Sequence, residues 1–509
     1  MKQATLPLPR PRPQAIPQVA VETPPRADPI GTVLALIGIA LTGLLLEGKK
    51  PSDIAQFGAY GVAASLVVSI LADLRHGVRN LLRADLLALV ALYFLTLFEF
   101  LFPQTEINLL VGPRATQDAV IACLWGFAGL ALGRHVMNLR RPQFAEILVR
   151  PVPPSWLLLI FWVSVVLGYF HMAIAVNFNI VEMVDYFMAP RFAQPWGRGR
   201  YGDWKALLVE FGMLMYLLPP IAGIVIARRR NYTALQFWPV MAAFAFTLFY
   251  GFSSGTRNIF HSYLVTFLIG YVFALQAERR REIITITTIC AVALIASTIL
   301  MLEFRQVGLK SYVLGKEQRY YTHEPAERPV MHIDYNLHTI AQVVTTFPRQ
   351  RGYLGWEVPY LAIIRPIPRA LWKGKPLGLS ASIEETVGAN EAWTVAASFV
   401  GEAYMAGGLL AVFGAALFFG VLAGWWGQLA SPRNSELGIL VYASGFFAVV
   451  ITMRSVFSLT TALLPTIASF FIVRWLVQKA AARAQQWTHG RAVARGHPSP
   501  RPPRRLPPP

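Results

Sequence analysis

The chain has little cysteine and little charge. Its 509 residues include two cysteines, Cys123 and Cys290, and only 14% of the residues are charged, whereas a soluble domain carries about a quarter. Both cysteines lie inside apolar runs, which favours small core residues over a disulfide, a metal site or a nucleophile. The low charge excludes an ordinary soluble protein.

The chain also lacks the short motifs of metal and nucleotide chemistry. There is no HExxH, no Cys/His group with zinc spacing, no DxD pair and no Walker A sequence. These motifs supply metal ligands or cradle phosphates. We therefore expect no cofactor and no bound metal.

Apolar residues are abundant: 55% of the chain is hydrophobic. Runs of about 18 or more apolar residues are long enough to cross a bilayer as helices. The sequence predicts an all-α, polytopic membrane protein with about twelve spans. We expect them at 30–46, 54–72, 84–102, 116–133, 154–176, 205–227, 235–252, 259–276, 283–301, 403–425, 436–453 and 458–477.

Two basic tails flank the spans. Residues 1–29 are rich in proline and arginine, and residues 478–509 end in RPPRRLPPP, compositions typical of disorder. The first apolar run is followed by EGKKPSD and not by a cleavage site, which indicates a retained helix. The predicted order is a tail (1–29), nine spans (30–301), a long loop (302–402), three spans (403–477) and a tail (478–509).

The positive charge has a definite distribution. The formal net charge is +19, and the even-numbered connections are the basic ones, for example RRRN and ERRRE. Short basic loops stay cytoplasmic, so both termini are expected inside and the loop 302–402 outside. The charge therefore indicates membrane lipids as partners, and no nucleic acid.

An arginine follows the predicted seventh span with almost no loop. The connection FSSGTRN places Arg257 between two hydrophobic runs. Arginine costs about 2.5–3.5 kcal/mol at the bilayer centre and less near the interface, which favours an anion-binding role over a tolerated interfacial one. Gly255 would let a ligand approach the backbone, while Asn258 or Ser253 has the simpler role of a helix cap.

The stretch IIRPIPRALWKGKP, residues 363–376, adds cations to the outward loop. Its prolines predict extended backbone before Pro368 and a short helix from Pro368 that ends near Gly374. Guanidinium groups near a helix N-terminus suit a phosphate; the alternative is binding of anionic headgroups. The four cations are Arg365, Arg369, Lys373 and Lys375.

Acids and imidazoles accompany these cations. HIDYNLH supplies Asp334 and His338, and GEAY places Glu402 at the start of the predicted tenth span. A single such residue in a loop is usually just solvated. As a set facing five cations, they can supply a general base beside an anion site.

Three stretches together resemble the oligosaccharide repeat-unit polymerases of the O-antigen polymerase (Wzy) type. They are GTRN between two middle spans, PIPRALWKGKP in the outer loop, and T-x-x-x-S-x-x-G-E-x-Y-x-x-x-G from Thr394 to Gly408. The similarity in organisation covers most of residues 30–477.

The resemblance implies a helical bundle like that of other glycosyltransferases with lipid-linked donors (GT-C-like), in the bacterial inner membrane. It implies a periplasmic, metal-independent transfer of a glycan from undecaprenyl pyrophosphate to another lipid-linked repeat unit, for O-antigen or exopolysaccharide. Arg257, Arg365, Arg369, Lys373 and Lys375 would then bind the donor. The catalytic base would be Glu402, Asp334 or His338. Flippase and chain-length regulator proteins are the expected protein partners.

Two other functions remain open at this stage. An O-antigen ligase uses the same donor with a lipid A-core acceptor, and His338 fits that scheme. A transporter or flippase of lipid-linked oligosaccharide would show ionisable residues inside spans, inverted repeats and broken helices. No internal repeat is evident, and most of the charge lies in loops.

The alternation of basic connections yields a topology prediction. We expect Lys316 and Trp393 to be periplasmic, and Arg229 and Arg280 to be cytoplasmic. Single cysteines at these positions, in a chain with Cys123 and Cys290 replaced, should react with a membrane-impermeant thiol reagent from opposite sides. Labelling of position 316 or 393 from the cytoplasm would refute the predicted orientation.

Overall fold

The structure is a computed structural model that describes residues 26–136, 145–190, 193–196, 204–275, 279–305, 307–315, 336–367, 371–376, 378–388, 396–431 and 434–494. Over these residues it contains helices and no strand, which confirms the predicted all-α class. Four short 3₁₀ segments occur as well. The α-helices are α1 Pro29–Leu44, α2 Pro51–Leu74, α3 Ala84–Thr96, α4 Ile107–Leu110, α5 Pro113–Val136, α6 Ala145–Val149, α7 Pro154–Ala175, α8 Ile180–Phe187, α9 Trp204–Phe211, α10 Leu218–Ala227, α11 Ala234–Ser253, α12 Arg257–Ala274, α13 Arg280–Phe304, α14 Leu309–Leu314, α15 Asn336–Thr346, α16 Glu357–Ile364, α17 Ile383–Val387, α18 Ser398–Gly427, α19 Glu436–Thr452 and α20 Val456–Ala494.

Every predicted span falls on helix, but the helices differ in their capacity to cross a membrane. In the described part of the chain, eight helices are long and apolar enough for a span, and α1, α3 and α19 are shorter apolar helices. The eighth predicted span, α12, falls outside both groups. A multi-pass membrane protein is therefore supported, and the count of twelve remains a prediction.

The loops that connect the helices contact one another at two opposite ends of the bundle. At the first, the Arg228 guanidinium donates to the carbonyl of Ala274 at 3.2 Å and pairs with Glu436 at 3.4 Å. At the second, the Phe399 amide donates to the carbonyl of Met453 at 3.2 Å. We call these the basic-loop end and the long-loop end, because they carry the basic connections and the helices of 302–402, respectively.

Small residues bring α5 and α18 close together. A Cβ atom on Gly129 would lie 2.6 Å from the Cβ of Ala416, and one on Gly420 would lie 2.5 Å from the carbonyl oxygen of Leu130. Glycines at such spacings allow two membrane helices to approach along their backbones. The pair α5–α18 thereby forms the centre of the bundle.

Helix α18 is broken inside its length. Gly407 has φ −177° and ψ 33°, and Gly408 has φ +69° and ψ −155°. The second conformation is essentially restricted to glycine. The break separates a short segment that contains Glu402 from the longer apolar segment that follows.

The long loop satisfies the backbone that the break exposes. The amides of Leu354 and Gly355 donate to the carbonyls of Met405 and Ala406 at 2.8 and 3.0 Å. Irregular backbone at membrane depth persists only where protein or a water-filled cavity satisfies it. The loop before α16 is therefore fixed against the broken helix.

The C-terminal region differs from the prediction. The sequence predicts a disordered tail from residue 478, whereas α20 continues to Ala494. The extension reads QKAAARAQQWTHGRAVA, and its alanine, glutamine and arginine residues are strong helix formers. Residues 1–25 and 495–509 of the two predicted tails lie outside the described part.

The break predicts a specific glycine requirement. In Gly408→Ala the new Cβ would lie 2.6 Å from the hydroxyl of Tyr353, and the alanine would have to keep a positive φ. We therefore expect the free energy of unfolding to fall by about 1–3 kcal/mol. Tryptophan fluorescence during thermal unfolding of the purified protein measures this. In the control Gly414→Ala, in the same helix, nothing lies within 4 Å of the new Cβ. Equal melting temperatures for the two variants would contradict the assigned backbone.

Candidate functional site

Four arginines from four chain segments lie at the long-loop end. Arg257 is the first residue of α12, and Arg305 directly follows α13. Arg365 directly follows α16, and Arg454 lies in the turn between α19 and α20. We call Arg257, Arg305, Arg365 and Arg454 the arginine group.

Arg454 joins the α11–α12 turn to the rest of the group. With its amide oxygen turned toward Arg454, Asn258 accepts hydrogen bonds from Nε at 3.1 Å and from a terminal guanidinium nitrogen. In the same turn, Gly255 adopts φ +63°, and a Cβ there would lie 2.9 Å from the Cβ of Arg305. The turn that carries Arg257 is therefore contacted by Arg454 at Asn258 and by Arg305 at Gly255.

Glu402 lies between the arginines and the start of α20. Its side chain is buried, with 5% of the residue exposed. One carboxylate oxygen accepts a hydrogen bond from the Ser455 hydroxyl at 2.6 Å, and the other accepts one from the Val456 amide at 2.6 Å. The carboxylate also interacts electrostatically with Arg365 and Arg454.

The contact with Val456 is a helix-capping contact. Val456 is the first residue of α20, and its amide is one of the groups that a helix N-terminus leaves without a partner. A carboxylate there satisfies the amide and complements the helix dipole. Glu402 itself is the fifth residue of α18, so the predicted placement in the first turn of that helix is wrong by one turn.

Arg365 adopts a different backbone from the predicted one. Its φ of −52° and ψ of −41° continue the helical geometry of α16, although the residue before proline normally prefers extended backbone. The Arg365 guanidinium lies 5.6 Å from the centre of the Phe457 ring, and the Thr460 hydroxyl donates to the carbonyl of Ala362 at 2.5 Å. Packing of α16 on α20 therefore overrides the local preference.

The remaining cations of the proline-rich segment have distinct positions. The Lys375 ammonium donates to the carbonyls of Arg365 and Ile367, both at 2.8 Å, so it holds its own loop together. Lys373 is exposed. The sequence predicts that residues 371–373 are helical, but in the structure they are not. Arg369 lies outside the described residues.

His338 is the candidate base with an unpaired nitrogen. It lies on α15, where its Nε2 is buried without a hydrogen-bond partner. Burial lowers the pKa of His338 below its usual value, because desolvation disfavours the charged imidazolium. Ile340 of the same helix lies beside Gly401, next to Glu402. Asp334 lies outside the described residues.

Two members of the arginine group are absent from the sequence predictions. Arg454 stands between two apolar runs with almost no loop, as Arg257 does, so the same criterion identifies it. Arg305 follows a predicted span, but only the fold places it against Gly255. Neither position matches a motif.

The described part of the chain contains no group of three or more His, Cys, Asp or Glu side chains arranged to hold a metal ion. A cavity of about 520 Å³ opens beside the α1–α2 turn, and its lining includes none of the four arginines. The arrangement of the arginine group offers several guanidinium donors around one mouth of the bundle. Chemically it suits a multiply charged anion such as a phosphate.

The capping contact predicts how Glu402 variants behave. In Glu402→Ala the Val456 amide loses its partner, and we expect the free energy of unfolding to fall by about 1–3 kcal/mol. In the matched variant Glu402→Gln, the amide oxygen can accept from Val456 and the amide nitrogen can donate to the Ser455 hydroxyl, so the melting temperature should stay close to that of the unaltered protein. Equal destabilisation by both substitutions would contradict the capping role.

Comparison with protein-family models, curated proteins and solved structures gives no match for this chain. The likeness to the O-antigen polymerases therefore depends on the short stretches at 255–258, 366–376 and 394–408 alone.

Proposed function

We propose that the protein polymerises oligosaccharide repeat units carried on undecaprenyl pyrophosphate, at the outer face of the bacterial inner membrane. The observation that carries the proposal is the arginine group, formed by separate chain segments at the mouth of an apolar bundle. Arginine near membrane depth is expensive and marks functional positions. A lipid-linked pyrophosphate presents its anion at this depth.

The chemistry of the donor explains the need for arginine. The bond between the anomeric carbon and the pyrophosphate oxygen breaks, and a hydroxyl oxygen of the acceptor sugar forms the new glycosidic bond. Negative charge accumulates on the departing lipid pyrophosphate, and preorganised guanidinium groups stabilise it. Each charge-assisted hydrogen bond contributes about 1.5–3 kcal/mol. The donor is already activated, so the reaction needs no nucleotide.

The acceptor hydroxyl must lose its proton to a base. His338 suits this role, because its Nε2 makes no hydrogen bond within the protein. The Glu402 carboxylate already accepts two hydrogen bonds, which favours a positioning role that fixes α20 and the Arg454 turn. Asp334 stays a prediction from the sequence.

Specific observations also favour a second candidate, a transporter or flippase of lipid-linked oligosaccharide. Helix α18 is broken at Gly407 and Gly408, and the buried Arg134 on α5 pairs with Asp73 on α2 at 3.3 Å. Broken helices and ionisable residues in spans are typical of transporters. An O-antigen ligase would share the donor site and differ in its acceptor.

The arginine group predicts a large catalytic effect of conservative substitutions. Arg257→Lys, Arg365→Lys and Arg454→Lys each keep the charge but lose the bidentate guanidinium geometry. We expect each to lower the rate of polymer formation by about tenfold to a few hundredfold, equivalent to about 1.4–3 kcal/mol. The assay uses purified protein and lipid-linked repeat units, with polymer separated by size.

The matched control is Arg230→Lys, an exposed residue in the connection between α10 and α11. It should leave the rate unchanged. If all three arginine variants polymerise normally at equal protein level, the arginine group has no catalytic role and only binds lipid headgroups. Normal polymerisation with abolished transbilayer movement of the substrate would instead support the flippase.

A further inference from the structure

A second polar cavity lies at the basic-loop end, opposite the arginine group. Its volume is about 360 Å³, and it is enclosed by the start of α1 and the ends of α2, α5 and α18. None of its lining residues belongs to the sequence-predicted site. The lining consists of Arg26, Ala27, Asp28, Pro29, His76, Arg83, Arg134, His135, Gly424 and Gln428.

Arg83 lines this cavity and has a guanidinium nitrogen that makes no hydrogen bond. The residue is 3% exposed, and its Nε donates to Asp85 at 3.0 Å. A second nitrogen pairs with the other Asp85 oxygen. The remaining nitrogen is 4.0 Å from Asp73 and has no hydrogen-bond partner. A buried guanidinium donor without a hydrogen-bond acceptor is costly, so an anion in the cavity would be stabilised by accepting from it.

Arg134 fixes the wall beside Arg83. Its guanidinium donates to the Ser69 hydroxyl and the Thr32 hydroxyl at 2.9 Å each, and it pairs with Asp73 at 3.3 Å. The Thr32 hydroxyl also contacts His135 Nε2 at 2.7 Å. These contacts hold the cationic wall rigid without a ligand.

The carboxylates around the cavity are already engaged. Asp28 accepts from the Gly31 amide at 2.8 Å and from His76 at 3.1 Å, and the Gly31 amide is the largest cause of its lowered pKa. Asp73 accepts from the Asp28 amide at 2.7 Å. Because these oxygens are bonded, the lining offers a ligand mainly N–H donors, which disfavours a cation.

We infer that this cavity binds a phosphate group, supplied either by inorganic phosphate or by the headgroup of an anionic phospholipid. The donors are the Arg83 nitrogen that makes no hydrogen bond and the side chains of Arg26 and Gln428. Basic pockets between membrane helices on the cytoplasmic side are suited to lipid headgroups. The inference is independent of the polymerase proposal, because the two sites lie at opposite ends of the bundle.

Thermal unfolding of the purified full chain in detergent tests the site. Potassium phosphate should raise the melting temperature relative to potassium chloride at equal ionic strength, and the rise should grow with the logarithm of phosphate concentration. Arg26→Gln removes a cation from the exposed rim and leaves the buried ion pairs intact, and it should weaken the apparent affinity about tenfold or more. Arg75→Gln, an exposed neighbour outside the lining, should respond like the unaltered protein.

A second measurement distinguishes the two sources. The protein is reconstituted in nanodiscs of phosphatidylcholine with or without phosphatidylglycerol, and retained lipid is identified by native mass spectrometry. Retention of phosphatidylglycerol that Arg26→Gln abolishes, without a response to free phosphate, assigns the site to a headgroup. A response to free phosphate alone assigns it to the inorganic ion. Absence of both effects, or equal effects in Arg26→Gln and Arg75→Gln, overturns the inference.

Discussion

The contact between the Glu402 carboxylate and the first residues of α20 determines the architecture of the candidate site. It joins the short N-terminal segment of α18 to the N-terminus of another helix through two hydrogen bonds of 2.6 Å. The turn that carries Arg454 lies directly before these donors. A shift of Glu402 would therefore move Arg454, and with it the contact to Asn258.

The break in α18 determines where the segment that carries Glu402 lies. Because Gly408 interrupts the helix, the segment with Glu402 is held by the long loop before α16 as well as by α20. Irregular backbone of this kind is tolerated in membranes where it borders a cavity or is bonded to protein. The arginine group, the capping carboxylate and the broken helix therefore lie at one end of an apolar bundle, where several guanidinium groups suit a multiply charged anion.

Much of the fold follows from the sequence because membrane helices leave a strong signal. The twelve apolar runs that the sequence predicts as spans all lie on helices, and Cys123 and Cys290 are buried, as the apolar runs around them predict. The broken helix was not predicted, since GG at 407–408 does not distinguish a break from close packing. The same pattern of small residues in α5 marks packing against α18.

The candidate site was only partly predictable. Arg257 and Arg365 stood out because their local sequence is unusual for an apolar chain, while Arg305 needs the fold to bring it to Gly255. The capping role of Glu402 depends on residues more than fifty positions away, which no local pattern encodes. The backbone of Arg365 was predicted wrongly, because packing of α16 on α20 outweighed the preference imposed by Pro366.

The most direct measurement is an analysis of the lipid-linked glycans in a strain that lacks this protein. The polymerase account predicts single repeat units on undecaprenyl pyrophosphate at the periplasmic face, with no longer chains. Intact polymer that is not transferred to its acceptor would point to a ligase. Repeat units confined to the cytoplasmic face would point to a flippase, and either result would contradict the account.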